Sequence, residues 1–165
     1  MQDSRITRTI LFSAIFAFAV FILVPQSVAQ FSNPAASASS IPESQWVQPA
    51  AMSKLLKAAG TDRPLVLQVG SHVMFEQAHI PGSIYAGPGS QPAGLQMLEK
   101  KTASTPKDKL IVIYCGCCPW GRCPNVGPAF KRLHDLGFTN VKVLYIANNF
   151  GDDWVAHGYQ TEKGE

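Results

Sequence analysis

Three short apolar runs stand out along the chain, at residues 65–69, 110–114 and 141–145. Each run is almost free of polar side chains, whereas a strand with one solvent-exposed face alternates between apolar and polar residues. The three runs therefore predict strands that are covered on both faces, as in a parallel sheet.

Two amphipathic segments predict helices. Residues 49–59 carry apolar side chains at helical spacing and are followed by Gly60, and residues 126–136 do the same before Gly137. The apolar stripes consist of Met52, Leu55 and Leu56 in the first helix and of Val126, Phe130, Leu133 and Leu136 in the second. Strand, helix and strand in succession imply a right-handed crossover. The predicted fold class is α/β, a central, mostly parallel sheet with helices on both faces.

Pro128 limits where the second helix can begin. Proline has no backbone N–H, so it is tolerated only in the first turn, where that group has no partner within the helix. With Asn125 as the N-cap, Pro128 becomes the third helical residue. Residues 115–124 are therefore expected to form a loop between a strand and a helix.

This loop contains every cysteine of the chain, at Cys115, Cys117, Cys118 and Cys123. Disulfides stabilise a fold most when they close long stretches of chain, and a cluster this tight closes almost none. The cluster therefore indicates local thiol chemistry instead of a structural cross-link.

The end of a parallel strand favours a reactive thiol. Cys115 directly follows the run at residues 110–114, where unpaired N–H groups of the loop and the next helix present partial positive charge. Such a field favours the thiolate, which is the attacking form, so we predict that Cys115 is the catalytic nucleophile. The other anion-binding groups of the loop are predicted to be Gly116, Cys117, Cys118, Gly121 and Arg122.

The first 29 residues have the layout of a secretory signal peptide. Arg5 and Arg8 precede an uncharged apolar run at residues 10–24, and Ser27 with Ala29 fits a cleavage site. The run is shorter than the roughly twenty residues of a spanning helix, and an uncleaved anchor is the alternative. We expect a protein exported to the periplasm or outside the cell. Residues 30–44 are predicted to be a flexible Ser/Ala/Pro linker and residues 45–165 a single folded domain.

The charge of the chain argues against one class of partner. The formal net charge is only +3 at pH 7, and such a balance gives no electrostatic reason to bind nucleic acid. We expect no nucleic-acid partner, and contact with a membrane only through the N-terminal segment. The oligomeric state is left open.

Several segments resemble the rhodanese-like domain family. Residues 78–84, Ala-His-Ile-Pro-Gly-Ser-Ile, are similar to the family's Gly-His-Ile-Pro-Gly-Ala signature, and residues 110–115 resemble the strand that delivers its nucleophilic cysteine. Residues 136–141, Trp154 and Gly158 match later parts of the domain. The resemblance implies a sulfurtransferase that needs no cofactor. Cys115 would attack a small donor such as thiosulfate, hold the sulfur as a persulfide and pass it to a thiol acceptor.

The chain departs from the family pattern in three places, one of which is the family's Gly-Gly before the closing Trp, replaced here by residues 148–150. The loop after Cys115 is longer, and Gln68 and Gly70 stand where the family has Asp and Arg. Related phosphatases of this fold have five residues between their Cys and Arg, whereas six separate Cys115 from Arg122. This spacing argues against phosphatase chemistry.

Three other functions compete with sulfur transfer. Cys117, Cys118 or Cys123 could resolve an oxidised Cys115 to a disulfide, which would make a thiol redox protein. The four cysteines could instead bind a soft metal ion such as copper(I) or zinc, but their spacing is not that of common zinc sites, and no metal ligand is predicted. The loss of the two charges at residues 68 and 70 would fit a non-catalytic module that docks a partner.

Overall fold

A computed structural model describes residues 38–58 and 60–164. The strands are β1 (Trp46–Val47), β2 (Leu65–Gln68), β3 (Ile84–Tyr85), β4 (Ile111–Tyr114) and β5 (Val141–Leu144), and the helices are α1 (Pro49–Ala58), α2 (His72–Gln77), α3 (Pro92–Thr102) and α4 (Val126–Asp135). The strands form one sheet in the order β1-β5-β4-β2-β3, and every neighbouring pair is parallel. The predicted α/β fold with a parallel sheet is confirmed.

Helices cover both faces of this sheet. Ile111 and Ile113 of β4 pack in one core with Leu98 of α3 and Leu133 of α4. Successive side chains of a strand point to opposite faces, so Val112 and Tyr114 belong to a second core, which contains Met52 of α1 and Trp154. All four residues of β4 are buried, which explains why this segment contains no polar side chain.

Helix α4 begins and ends where its sequence predicts. Asn125 is the N-cap residue, Pro128 is the third helical residue, and Leu136 caps the C-terminus. Gly137 follows with φ +86°, a left-handed conformation that glycine adopts without a Cβ penalty. The loop at residues 115–124 is therefore as predicted, and it contains one 3₁₀ turn at Trp120–Arg122.

The prediction of a flexible linker over residues 30–44 needs a correction at its C-terminal end. Residues 38–44 contain two short 3₁₀ turns, and the side chains of Ala38 and Ile41 are 0% and 4% exposed in the core next to α4. Burial of these two apolar side chains joins the segment to the folded domain before residue 45. The predicted signal peptide at residues 1–29 lies outside the described residues. No helix within the described residues is long and apolar enough to cross a membrane.

Candidate active site in the cysteine loop

The cysteine loop, residues 115–124, is anchored to the segment that follows β5. The backbone N–H of Trp120 donates to the carbonyl oxygen of Ala147 at 3.1 Å, and the backbone N–H of Phe150 donates to the carbonyl oxygen of Gly116 at 2.9 Å. Gly116 has φ +75°, and a Cβ at this position would lie only 2.7 Å from Phe150 Cβ. Glycine at residue 116 therefore allows both the left-handed turn and the close approach of Phe150.

Cys115 lies directly after β4, as predicted, but its side chain is buried. It is 4% exposed and packs on the same side of the sheet as α4. Its Sγ atom lies 2.9 Å from Cys117 Sγ, and the Asn125 side chain donates an N–H to it over 3.3 Å. The prediction that Cys115 is ionised and reachable is wrong, because neighbouring side chains cover the thiol at the end of β4.

The four thiols form one hydrogen-bonded cluster. Cys117 and Cys118 are partly exposed and their Sγ atoms are 3.1 Å apart, whereas Cys123 is 3% exposed. Cys123 affects the pKa values of both Cys115 and Cys117. In the described part of the chain, the N–H donor to Cys115 Sγ is the side-chain amide of Asn125 at the start of α4.

The negative charge of the cluster settles on Cys117. Hydrogen bonds donated by Cys115 and Cys123 lower the pKa of the Cys117 thiol far below its ordinary value. The hydrogen bond to Cys117, the contact with Cys123 and burial all raise the pKa of Cys115. Burial, followed by the bond to Cys117, raises the pKa of Cys118. The directions of these shifts favour ionisation of Cys117 over that of Cys115 and Cys118.

The remaining thiol, Cys123, is subject to opposing effects. Its hydrogen bond with Cys115 lowers its pKa, but the bond with Cys117 and burial outweigh this and raise the pKa overall. Cys123 is therefore protonated next to the Cys117 thiolate. The pattern follows from proximity, because a second negative charge in the same small volume would be repelled by the first.

Asn125 connects the cluster to the rest of the site. Its Nδ2 atom donates to Cys115 Sγ at 3.3 Å and to Cys117 Sγ at 3.9 Å, and its Oδ1 atom accepts the N–H of Ser90 at 3.0 Å. The side chain is buried and makes no hydrogen bond to the helix N–H groups. Sequence reasoning assigned Asn125 only to capping, so it missed this amide as a ligand of the thiols.

Gln68 and Gly70, which replace the family's charged pair, support Cys115 from the neighbouring strand. Gln68 is 2% exposed, its Nε2 atom donates to the Cys115 carbonyl oxygen at 3.2 Å, and its Oε1 atom accepts the Gly70 N–H at 3.1 Å. A Cβ at Gly70 would lie 2.8 Å from Cys115 Sγ. The two uncharged residues thus hold the ends of β2 and β4 together and leave space for the thiol.

Two of the predicted anion-binding residues lie away from the thiols. Gly121 and Arg122 are both exposed, and a Cβ at Gly121 would contact nothing within 4 Å. Among the described residues, no partner makes an ion pair or hydrogen bond with the Arg122 side chain. The structure therefore brings Gly116, Cys117 and Cys118 to Cys115, but it does not bring Arg122 there.

Trp120 closes the loop over the core. Its ring packs edge-on against Trp46, with 4.9 Å between ring centroids, and at a tilt against Tyr145, with 5.1 Å between ring centroids. Trp120 Nε1 is buried and has no hydrogen-bond partner within the described part of the chain. An unpaired buried donor is costly, so this N–H is available to an acceptor that enters the site.

A small cavity lies beside Cys115. Its volume is about 10 Å³, close to that of one water-sized sphere. It is lined by Cys115, Gly116, Cys118, Trp120, Cys123, Val126, Leu144 and Ile146. Cys117 is not among these residues, so the cavity and Cys117 occupy different parts of the surroundings of Cys115.

Three of the sulfur atoms are close enough to share one metal ion. The Sγ atoms of Cys115, Cys117 and Cys118 all lie within 4.8 Å of one another. Thiolates prefer soft ions such as copper(I) and also bind zinc, with Zn–S distances of about 2.3 Å. The cluster could therefore either do thiol chemistry or hold such an ion.

Comparisons with known proteins identify the fold family. The sequence model of the rhodanese-like domain family matches residues 48–145. A protein from Bacillus halodurans is 26% identical over 73% of this chain and 77% of its own, with a TM-score of 0.57. The rhodanese-like domain of an Anabaena protein is 19% identical over 72% and 79%, with a TM-score of 0.52.

A Rhodopseudomonas palustris protein of unknown function, described as a possible tyrosine phosphatase, has the same fold. It is 23% identical over 75% of this chain and 86% of its own, with a TM-score of 0.53. A search among curated proteins found no significant match. The family match over residues 48–145, the parallel sheet and the cysteine directly after β4 lead to one conclusion: this chain belongs to the rhodanese-like domain family.

Proposed function

We propose that this protein is a sulfurtransferase that takes sulfane sulfur from a small anionic donor such as thiosulfate and holds it as a persulfide on Cys115. One observation carries the proposal. Cys115 follows the central strand β4, and its Sγ atom contacts a thiol that can accept its proton and an amide that can stabilise its charge. Family membership is consistent with this activity, but fold alone does not establish it.

The contact between Cys115 and Cys117 provides a way to activate the buried thiol. Cys117 Sγ lies 2.9 Å from Cys115 Sγ, and hydrogen bonds to Cys115 and Cys123 lower its pKa. Transfer of the Cys115 proton to Cys117 leaves a thiolate on Cys115, to which Asn125 Nδ2 donates a hydrogen bond. Cys115 then attacks the outer sulfur of thiosulfate, the sulfur–sulfur bond of the donor breaks, and sulfite leaves with the bonding electrons.

The site offers a place for the sulfur that has been taken up. The cavity of about 10 Å³ beside Cys115 is about the size of a single atom, and mostly apolar side chains surround it. Trp120 lines the same cavity, and its unpaired indole N–H could donate to the negatively charged outer sulfur. Because Cys115 is 4% exposed, loading requires the partly exposed side chain of Cys118, which lines the same cavity, to move aside.

A thiol acceptor completes the proposed reaction. An acceptor thiolate attacks the outer sulfur of the Cys115 persulfide, forms a persulfide of its own and returns Cys115 to the thiolate. We further propose that the reaction takes place outside the cytoplasm, with residues 1–29 directing export. The basic residues and apolar run at the N-terminus support this location.

Sulfite release from thiosulfate tests the proposed function. The reduced full chain, freed of metal with a chelator and kept without oxygen, is mixed with excess thiosulfate, and sulfite is measured over time. We expect about one sulfite per chain in the first turnover, because one thiol attacks one donor molecule.

The matched control is the same protein after its thiols have been blocked with iodoacetamide. It should release no sulfite, since the thiolate is the attacking species. Reduced, metal-free protein that releases no more sulfite than the blocked control would contradict the proposal. It would favour the reading of the domain as a module that only docks a partner.

Binding of a soft metal ion is a second candidate function, because the Sγ atoms of Cys115, Cys117 and Cys118 lie within 4.8 Å of one another. A metal-binding protein should take up about one copper(I) or zinc ion per chain and retain it on dialysis against a weak chelator. Metal content per chain, measured on anaerobic protein, checks this expectation. Loss of the ion from Cys118→Ser would support the three-sulfur site, and ion retention below one tenth per chain in the wild type would exclude it.

A further inference from the structure

The Sγ atoms of Cys115 and Cys117 are 2.9 Å apart, closer than the Sγ atoms of Cys117 and Cys118 at 3.1 Å. Gly116, between them, holds the turn with φ +75°, and its carbonyl oxygen accepts the Phe150 N–H at 2.9 Å. A left-handed residue fixed by the neighbouring segment thus holds the two sulfur atoms in contact.

From this contact we propose that Cys117 resolves the Cys115 persulfide, releasing hydrogen sulfide and leaving a disulfide between Cys115 and Cys117. The inference rests on the proposed function, but the product released is hydrogen sulfide instead of a persulfide on an acceptor thiol. The sulfur would leave reduced, as sulfide, and the protein would act as a sulfane-sulfur reductase that uses its own dithiol.

The surroundings of Cys115 suit this step. The cavity next to Cys115 is lined by Cys118 and Cys123 but not by Cys117. An outer sulfur placed in the cavity would therefore leave the contact between the Sγ atoms of Cys115 and Cys117 free. Cys117 can then approach the inner sulfur of the persulfide from a side that the outer sulfur does not occupy, as thiol exchange requires.

Exposure distinguishes Cys117 from the other thiol that contacts Cys115. Cys123 also influences Cys115, but its side chain is 3% exposed. Cys117 is partly exposed, and its Sγ atom lies 2.9 Å from Cys115 Sγ. Cys117 is therefore the resolving thiol, and Cys123 is the natural comparison.

Resolution by Cys117 replaces one sulfur–sulfur bond with another. Cys117 thiolate attacks Sγ of the Cys115 persulfide, a new bond joins the two Sγ atoms, and the bond from Cys115 Sγ to the outer sulfur breaks. The proton that Cys117 took from Cys115 passes to the negatively charged outer sulfur, which leaves as hydrosulfide with the electron pair of that bond. The two cysteines lose two electrons in total, and the sulfane sulfur gains them.

A second turnover needs a reductant for the disulfide. The chemistry calls for an external dithiol, either a small dithiol or a redox protein with a cysteine pair, which exchanges with the disulfide through its more exposed sulfur. Cys117 is the partly exposed member of the pair and is the atom that such a dithiol would attack. The partner class is thus a dithiol, whereas simple sulfur transfer would need only one acceptor thiol.

The experiment follows sulfite, sulfide and protein mass in one sample. The reduced, metal-free full chain is mixed with thiosulfate without oxygen and without a reductant. For the wild type we expect sulfide and sulfite in a ratio of about one, protein lighter by two hydrogen atoms, and a peptide pair joined through Cys115 and Cys117. Cys117→Ser should release sulfite more slowly, release no sulfide and become heavier by one reducible sulfur atom.

Cys123→Ser is the matched control, because Cys123 also contacts Cys115. Its ratio of sulfide to sulfite should stay near one, whatever its rate. Wild type that releases sulfite and keeps the added sulfur would overturn the inference and leave the proposed function standing. Sulfide release that persists in Cys117→Ser and disappears in Cys123→Ser would also overturn it. A wild type without sulfite would overturn both.

Discussion

Replacing Cys115 with serine is expected to abolish sulfite release from thiosulfate, with a fall of about a thousandfold or more in rate, as for the loss of other covalent nucleophiles. The serine hydroxyl is nearly as large as the thiol but is a far weaker nucleophile at neutral pH. The amide of Asn125 and the proton acceptor Cys117 would remain without an atom to activate. The measurement is the rate of sulfite formation under single-turnover conditions.

Two controls accompany this variant. Its thermal unfolding should stay close to that of the wild type, because the substitution removes little volume from the core site. Cys118→Ser should retain sulfite release, because Cys118 makes a hydrogen bond with Cys117 at 3.1 Å and its loss leaves the contact between Cys115 and Cys117 in place. Sulfite release that survives in Cys115→Ser and vanishes in Cys117→Ser would show that the exposed thiolate attacks the donor, contrary to the proposal.

Gly116→Ala is expected to destabilise the fold and disturb the thiol pair together. A side chain at φ +75° costs roughly 1 to 3 kcal/mol, and a Cβ placed 2.7 Å from Phe150 Cβ forces a further shift of similar cost. We expect the free energy of unfolding to fall by about 2 kcal/mol or more. Denaturant unfolding, followed by tryptophan fluorescence, provides the measurement.

Gly121→Ala is the matched control in the same loop. A Cβ at Gly121 meets nothing within 4 Å, and no positive φ applies there. Its unfolding free energy should change by less than about 0.5 kcal/mol, as for ordinary surface substitutions. Equal losses in the two variants would show that neither the turn at Gly116 nor its contact with Phe150 determines stability.

The pattern of apolar residues was enough to predict the centre of the fold. Strands β2, β4 and β5 are buried on both faces, so their sequences are almost purely apolar and easily found. Strands β1 and β3 have only two residues each and were missed, together with α2 and α3. A two-residue strand is too short to show an alternation of apolar and polar residues. β1 forms by pairing with β5, and β3 forms by pairing with β2.

The position of the cysteine loop also follows from local rules. Pro128 can lie only in the first turn of α4, so the cysteines must precede the helix, and the apolar run of β4 ends directly before Cys115. These are constraints between neighbours in the chain. They explain why the location of the loop, and its resemblance to the rhodanese-like family, could be read without coordinates.

The state of each thiol could not be read in this way, because it depends on groups that fold together from distant segments. Gln68 and Gly70 come from the end of β2, Asn125 from the start of α4, and Phe150 from the chain after β5. Hydrogen bonds to Cys117 and Cys123, together with burial under these groups, raise the pKa of Cys115, whereas hydrogen bonds to Cys115 and Cys123 lower the pKa of Cys117. Chain order thus specifies which residues meet at the strand end, while packing in three dimensions sets which of them ionises, since desolvation and hydrogen-bond geometry exist only in the folded protein.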